Sequence, residues 1–138
     1  MMSEQNDWNK QVIAEFRENG GKVGGHFKGW DLLLLHTTGA KSGLERVTPL
    51  VCMAEGDNLF VIASKGGAST HPDWYYNLKA NPGVEVEFGR ERFVAEAVEV
   101  EGARRAELYE RMAKRHSFFY DYAEKAGRVI PVILLERG

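Results

Sequence analysis

The chain has 138 residues, of which 43% are hydrophobic and 28% are charged, and its formal net charge is −2. These values are typical of a folded globular domain and exclude a disordered chain, and such a small negative charge does not favour nucleic acid as a partner. The single Cys52 excludes an internal disulfide, and the sequence has neither a secretory signal nor an apolar run of about 18 residues. We therefore expect a cytoplasmic protein with no integral membrane span.

The N-terminal segment predicts an amphipathic helix over residues 6–19, in which Val12 and Phe16 stand four positions apart among polar neighbours. Two consecutive glycines end this helix, and a glycine-rich link follows. We therefore divide the chain into a helix and link at residues 1–30 and a single domain at residues 31–138.

The next part of the chain predicts three antiparallel strands in a meander, at residues 32–37, 46–54 and 58–64. The intervening segments GAKSG and EGDN contain the glycine, asparagine and aspartate residues that favour tight turns. A short helix is predicted at residues 71–79, because Pro72 suits the start of a helix.

The C-terminal half predicts a hairpin, two helices and a last strand. Residues 83–88 and 92–100 alternate apolar and charged side chains, so their glutamates, which include Glu87, are expected to form a solvated face. Helices are predicted at residues 103–115 and 117–127, and a strand at 129–136. About six mostly antiparallel strands with flanking helices predict the α+β class, with the sheet curled into a small barrel.

A candidate anion site is indicated by cationic and polar residues at or beside the predicted strand turns: Lys41, Arg46, Ser64 and Lys65. Glycines next to them allow backbone N–H groups to approach an anion closely. Turns often contain lysine and glycine for no functional reason, so each residue alone is ambiguous. Together they predict a pocket for phosphate or carboxylate at one rim of the sheet.

Aromatic residues mark two further segments of interest. Trp74 and Tyr75 stand at the start of the helix predicted at 71–79, where an anion or a planar ring can bind, although Trp74 also fits the core. His116, Phe119 and Tyr122 are spaced by three residues, which places them on one helical face, where histidine or tyrosine can donate a hydrogen bond to a substrate carbonyl.

No group in the sequence supplies redox chemistry by itself. The four histidines lack metal-ligand spacing, so no metal is expected, and Cys52 lies among apolar residues as an inert thiol does. An organic cofactor is therefore expected to carry the chemistry.

Three runs of this sequence, LLLLHTTGAKSGLERVTPL, VIASKGGASTHPDWYYNLKANPGVEVEF and FFYDYAEKAGRVIPVILLE, resemble the deazaflavin-dependent nitroreductase family, whose members use reduced coenzyme F420. The similarity extends over residues 32–136. It implies a split β-barrel of the FMN-binding type. It also implies hydride transfer from the reduced deazaflavin to an electron-poor acceptor, which is a quinone, an α,β-unsaturated ketone or lactone, or a nitro compound.

The resemblance also implies roles for individual residues. Lys41 and Arg46 match positions that hold the phosphate and polyglutamate tail of the coenzyme, whereas Ala40 stands where arginine is frequent. Further residues match the coenzyme site: Ser42, Pro49, Leu50, Ile62, Ala63, Ser64, Lys65, Asp73, Trp74, Tyr75 and Asn77.

On the substrate side, the resemblance implies a pocket formed by His116, Phe119 and Tyr122, at positions where nitroimidazole-reducing members often have three tyrosines. Only Tyr122 retains the hydroxyl. The candidate catalytic donors to the acceptor oxygen are Tyr122, His116 and Ser64.

Two alternatives stay open from the sequence. Because the same barrel binds FMN in other families, an FMN-dependent oxidoreductase also fits the anion site. A protein that only stores or carries coenzyme F420 or a lipid-like ligand fits as well. The expected partner is a small-molecule hydride acceptor, and the protein is expected to be a monomer or a homodimer.

Overall fold

The computed structural model describes residues 4–138, with the side chains of residues 9–25 and 27–138. The first three residues of the predicted N-terminal segment lie outside this range. The described residues form four α-helices and seven β-strands: α1 (Glu4–Glu18), β1 (Leu32–Thr38), β2 (Glu45–Val51), β3 (Met53–Glu55), β4 (Asn58–Ile62), α2 (Asp73–Ala80), β5 (Gly83–Phe88), β6 (Glu91–Val100), α3 (Gly102–Arg115), α4 (Phe118–Ala126) and β7 (Val132–Arg137). None of the helices in this range is long and apolar enough to cross a bilayer.

The seven strands form one antiparallel sheet in the order β2-β1-β5-β6-β7-β4-β3. The predicted meander is confirmed only in part, because β4 pairs with Met53 and Ala54 at the end of the predicted strand 46–54 but otherwise with β7 and not with β2. The predicted strand 46–54 is two strands, β2 and β3, separated by Cys52. The helix ends and the hairpin strands agree with the prediction to within two residues.

Cys52 connects the two edge strands of this sheet, since it is the one residue between β2 and β3. Consecutive Cα atoms are about 3.8 Å apart, so the two edges of the sheet must meet at this point. The sheet therefore curls into a barrel, as the α+β prediction required. Among the described strands β2 pairs only with β1, which leaves a gap between β2 and β4 that we call the seam.

The four consecutive leucines of β1 are buried because the strand is covered on both faces. Leu33 and Leu35 point into the barrel, where they join a core with Trp74 of α2. Leu32 and Leu34 point outward and pack with Val12 and Phe16 of α1. A continuous apolar run is the pattern expected of a strand buried on both sides.

β4 is covered on both faces in the same way. Val61 faces the barrel interior, and Phe60 and Ile62 pack with residues of α3 and α4 such as Met112 and Phe119. β4 is thus fixed by helices outside the barrel and by a core within it.

Glu87 of β5 is not part of a solvated face, contrary to the prediction. It is only 9% exposed, and its carboxylate accepts hydrogen bonds from Arg17 of α1 (2.8 and 3.1 Å) and from His36 Nε2 of β1 (2.6 Å). The hydrogen bonds from Arg17 lower the pKa of Glu87 despite its burial. Glu85 and Glu96 lie on the same face of the hairpin as Glu87, and α1 covers that face at Glu87. Glu99, which was expected on the solvated face, lies on the opposite face and accepts a hydrogen bond from Tyr75.

Candidate active site

A cavity of about 970 Å³, here called the large cleft, opens at the seam. Its wall is built by β2, the end of β4 with the turn after it, the start of α2 and one residue of α1. The lining residues are Asn9, Arg46, Val47, Thr48, Pro49, Leu50, Ile62, Ser64, Lys65, Gly66, Pro72, Asp73, Trp74 and Asn77.

The turn after β4 has a backbone suited to anions. Ser64 is in the right-handed helical region, and Lys65, Gly66 and Gly67 follow with φ of 50°, 64° and 84°. A right-handed residue followed by left-handed ones turns successive N–H groups to one side, where they can surround an anion. Lys65 adopts the positive φ without being glycine, which costs free energy and marks a conformation imposed by its surroundings.

Two cations stand at the large cleft. Lys65 is exposed, with Nζ 3.3 Å from Thr70 Oγ1, and Arg46 of β2 is exposed with no hydrogen-bond or ion-pair partner among the described residues. Of the four residues from which the sequence predicted an anion site, the fold brings Arg46, Ser64 and Lys65 together around one cavity.

Lys41 and Ser42 lie in the turn between β1 and β2 and do not line the large cleft. The Ser42 hydroxyl accepts a hydrogen bond from the Leu44 N–H (3.2 Å), which closes this turn. Asn77 of α2 holds the turn beside the cleft, because its Oδ1 accepts from the Ala40 N–H at 2.9 Å. A role for Lys41 in binding a coenzyme tail stays a prediction.

Ala63 and Tyr75 also point away from the large cleft. Ala63 is fully buried in the barrel core. The Tyr75 hydroxyl donates to Glu99 of β6 (2.7 Å), and its ring lies 4.3 Å from that of His71. Burial, together with the hydrogen bond to Glu99, raises the pKa of Tyr75 to about 12.

A second cavity of about 500 Å³, here called the aromatic pocket, adjoins the large cleft. Its lining residues are Phe27, Trp30, Leu32, Pro49, Leu50, Val51, Ile62, Ser64, Gly66, Phe118, Phe119 and Tyr122. Five residues belong to both cavities: Pro49, Leu50, Ile62, Ser64 and Gly66. The two cavities are therefore neighbouring compartments of one site.

The wall of the aromatic pocket is a continuous chain of ring contacts. Phe27 and Trp30 are 5.4 Å apart between centroids, Trp30 and Phe118 are 5.5 Å apart, and Phe118 and Tyr122 are 5.2 Å apart. Sequence analysis missed Phe27 and Trp30, which come from the glycine-rich link. The sequence does contain an indication of their role, since two aromatic residues stand in that link just before the buried strand β1.

The three residues predicted for the substrate side do not all reach the pocket. Phe119 and Tyr122 line it, but His116 does not. The His116 ring is 6% exposed and lies 4.8 Å from that of Trp30, and its Nε2 has no hydrogen-bond partner within the described part of the chain. Burial and the nearby charge of Arg115 lower the pKa of His116.

Sequence analysis also missed Arg128, which follows α4. Its guanidinium donates hydrogen bonds to the loop between β4 and α2 that forms one wall of the large cleft. The available signal was a lone arginine in AGRVIPV, between the glycine that ends a helix and an apolar strand.

Metal chemistry has no site in the described residues, since no group of three or more histidine, cysteine or carboxylate side chains lies close enough to hold an ion. Cys52 is buried, and burial raises the pKa of its thiol, so it stays protonated. What the site offers is a cationic, glycine-rich cleft joined to an aromatic pocket.

Comparison with known proteins gives a consistent picture. The family model of F420H(2)-dependent quinone reductases matches residues 8–137. An F420H(2)-dependent quinone reductase of Mycobacterium tuberculosis is 39% identical over 128 residues, which cover 90% of this chain and 86% of that protein. A solved F420-H2-dependent reductase is 39% identical with a TM-score of 0.71, over 76% of this chain and 93% of its own. Another solved chain, a domain-swapped dimer, is 35% identical with a TM-score of 0.73, over 96% of this chain and all of its own.

The curled sheet with its flanking helices is that of a split-barrel oxidoreductase. More narrowly, the chain belongs to the F420H(2)-dependent quinone reductase family. The family, the split-barrel fold, the enzyme class and coenzyme F420 as the cofactor, all implied by the resemblance in sequence, are confirmed. The roles of individual residues stay predictions.

Proposed function

We propose that this protein reduces quinones with coenzyme F420 bound in the large cleft and the quinone bound in the aromatic pocket. The observation that carries the proposal is the shared boundary of the two cavities. Since Pro49, Leu50, Ile62, Ser64 and Gly66 line both, a ligand in one cavity reaches the ligand in the other without an intervening wall. Direct transfer between two bound molecules needs such contact.

The residues of the large cleft fit the two ends of the coenzyme. Pro49, Leu50 and Ile62 offer apolar contacts for a planar ring, and the 64–67 turn offers backbone N–H groups for a phosphate. Arg46 and Lys65 offer charge-assisted hydrogen bonds to an acidic tail. In this proposal Lys41 extends the cationic side of the cleft beyond its lining residues.

Reduced coenzyme F420, when bound, supplies a hydride. The aromatic pocket then has to orient the acceptor and exclude water, and the ring chain from Phe27 to Tyr122 does both by packing on a flat apolar molecule. The oxygen that gains negative charge on the acceptor needs a donor. Tyr122 and Ser64 line the pocket and carry hydroxyls, so we assign this task to them. His116, which is outside the lining, acts by holding Trp30.

The acceptor class follows from the same groups. A quinone has a flat ring for the aromatic wall and a carbonyl oxygen for the hydroxyl donors. α,β-Unsaturated ketones and lactones share the polarised carbonyl and are included in the proposal as secondary acceptors. Nitro compounds are also included, with a nitro oxygen in place of the carbonyl.

A titration of the purified protein with reduced and oxidised coenzyme F420, followed by tryptophan fluorescence, tests the proposal. Menadione is then added, and the fluorescence of the oxidised coenzyme is monitored. Saturable binding with menadione-dependent oxidation is expected. Binding of FMN in place of coenzyme F420 would favour an FMN-dependent oxidoreductase, and tight F420 binding without turnover of quinones, enones or nitro compounds would favour a carrier protein.

A further inference from the structure

The guanidinium of Arg128 gathers backbone carbonyls from a loop that is distant in sequence. Its Nη2 lies 3.2 Å from the carbonyl oxygens of Ala63 and Ser64 and 2.9 Å from that of Thr70. Its Nε donates to the carbonyl oxygen of Ala68 at 3.1 Å. One side chain therefore ties both ends and the middle of the loop between β4 and α2 together.

The same guanidinium reaches the entrance of α2. Arg128 Nη1 lies 3.0 Å from Nδ1 of His71, and because the guanidinium can only donate, Nδ1 accepts. His71 directly precedes Pro72 and Asp73, which line the large cleft. Arg128 thus holds two of the segments that form the cleft wall, the 64–67 turn and the start of α2.

The loop depends on such an outside anchor because it has little regular structure of its own. Residues 65–67 form a single 3₁₀ turn in which all three residues have positive φ, a conformation that costs free energy at Lys65. A planar group with five N–H donors satisfies several carbonyls at once and fixes their relative positions, which an ammonium group does less well.

Arg128 is itself well placed to act as an anchor. It follows Gly127, which ends α4 in the left-handed conformation with φ of 64°, and it precedes the buried Ile130. The loop also touches α4 directly, since a Cβ on Gly67 would lie only 3.1 Å from the Cα of Tyr122. Arg128 and Gly67 therefore set the distance between the anion-binding turn and the helix that carries Tyr122.

We propose that Arg128 is a positioning residue, which prepares the 64–67 turn and the start of α2 to receive the anionic part of the coenzyme. It lines neither cavity, so it acts through the backbone that it holds and not by contact with a ligand. The expected effect on coenzyme binding rests on the proposed function. The ordering of the loop by Arg128 does not, because it concerns the protein without any ligand.

Arg111 provides a matched control. Its guanidinium also donates to a carboxylate and a backbone carbonyl, Glu55 at 2.7 Å and Ala54 at 2.9 Å, and lies over the ring of Phe60. It lines neither cavity. Arg111→Met therefore removes an arginine anchor of similar kind from a place where coenzyme binding does not depend on it.

The test compares Arg128→Met, Arg128→Lys and Arg111→Met with the unmodified protein. Amide hydrogen exchange without ligand is expected to rise in residues 64–71 of Arg128→Met, with a smaller rise in Arg128→Lys and none in Arg111→Met. The Kd for coenzyme F420 is expected to rise about tenfold in Arg128→Met, as for loss of one charged hydrogen-bonding anchor, whereas kcat at saturating coenzyme changes less than about threefold.

The inference is overturned if amide exchange in residues 64–71 is the same in Arg128→Met as in the unmodified protein. It is also overturned if Arg111→Met raises the Kd for coenzyme F420 as much as Arg128→Met does. Either result makes Arg128 an ordinary stabilising residue. If Arg128→Met does not fold, the exchange of Arg128→Lys decides. Failure of the unmodified protein to bind coenzyme F420 contradicts the proposed function instead, and the exchange measurement still decides on Arg128.

Discussion

Tyr122 is the one hydroxyl that α4 contributes to the aromatic pocket. If it donates to the acceptor oxygen, Tyr122→Phe should lower kcat/KM for menadione by about tenfold, because one hydrogen bond to a developing charge is lost. The Kd for coenzyme F420 should not change. Steady-state kinetics with quinone and enone acceptors checks this.

Tyr120→Phe is the matched control for Tyr122, because it removes a hydroxyl from the same helix. Tyr120 donates to Glu110 and lines neither cavity, so its kinetics should match those of the unmodified protein. Equal kcat/KM for Tyr122→Phe and the unmodified protein, with every acceptor tested, would remove Tyr122 from the mechanism.

His71 makes the stability of the protein depend on pH. Burial and the charge of Arg128 lower its pKa in the folded state, and the charge of Glu99 opposes this only in part. The unfolded chain therefore binds a proton first as the pH falls below about 6.5, and the free energy of unfolding decreases towards lower pH. The stabilisation is fully present above that pH.

His71→Asn should flatten this dependence, since asparagine keeps an acceptor near the Nδ1 position but does not titrate. Thermal unfolding followed by circular dichroism at several values between pH 5 and pH 8 measures the slope. Because burial also lowers the pKa of His116, some slope should remain in the variant. A variant whose Tm varies with pH as steeply as that of the unmodified protein would contradict this account.

Among the elements, α1 is attached to the sheet by one partly buried polar contact as well as by its apolar face. Arg17 and Glu87 form a bidentate pair, and His36 completes it from β1. Arg17→Met leaves the buried carboxylate with one partner fewer, so the free energy of unfolding should fall by about 1–2 kcal/mol. Urea denaturation gives the value.

A surface pair serves as the control for α1. Arg137 and Glu91 are 2.5 Å apart, and because the Glu91 side chain is 62% exposed where that of Glu87 is 12% exposed, Glu91→Gln should cost about 0.5 kcal/mol or less. If Arg17→Met costs no more than Glu91→Gln, the contact with Glu87 does not anchor the helix. Since Asn9 of α1 lines the large cleft, weaker docking should also raise the Kd for the coenzyme.

Local sequence patterns predicted the helices and strands better than they predicted which other elements pack against them. The alternation in β5 and β6 and the spacing in α3 identified those segments. The direction of successive side chains repeats every two residues in a strand and about every 3.6 in a helix, so the pattern depends only on the element itself. The same alternation gave no hint that α1 covers Glu87. Nothing near Cys52 marks the passage from one edge of the sheet to the other, because a single residue suffices for it.

The candidate site was predicted where its chemistry lies in turns with distinctive composition. The glycines and the cation of ASKGG were recognised for that reason, whereas Lys41 and Ser42 of GAKSG, selected on the same ground, line neither cavity. Phe27, Trp30 and Arg128 were missed because their contacts join segments far apart in the chain. Such contacts follow from the packing of the whole barrel and leave no local pattern.

For the molecule as a whole, one chain supplies all the lining residues described for both cavities. We therefore predict that the proposed reaction proceeds without residues from a second copy, although a relative is a domain-swapped dimer. Specific activity with saturating coenzyme should stay constant from nanomolar to micromolar protein, while sedimentation reports the association state over the same range. A loss of activity on dissociation of a dimer would show that a partner completes the site.

The single-residue step at Cys52 also bears on how this sheet avoids aggregation. Edge strands present unpaired N–H and C=O groups that can recruit strands of other molecules. Here β2 and β3, the two edges, are joined end to end through Cys52, and residues of β2 line both ligand cavities. The polar groups that are a hazard in an open sheet thus face a place where small molecules bind. A saturating ligand would shield the same backbone that the empty protein leaves accessible to other chains.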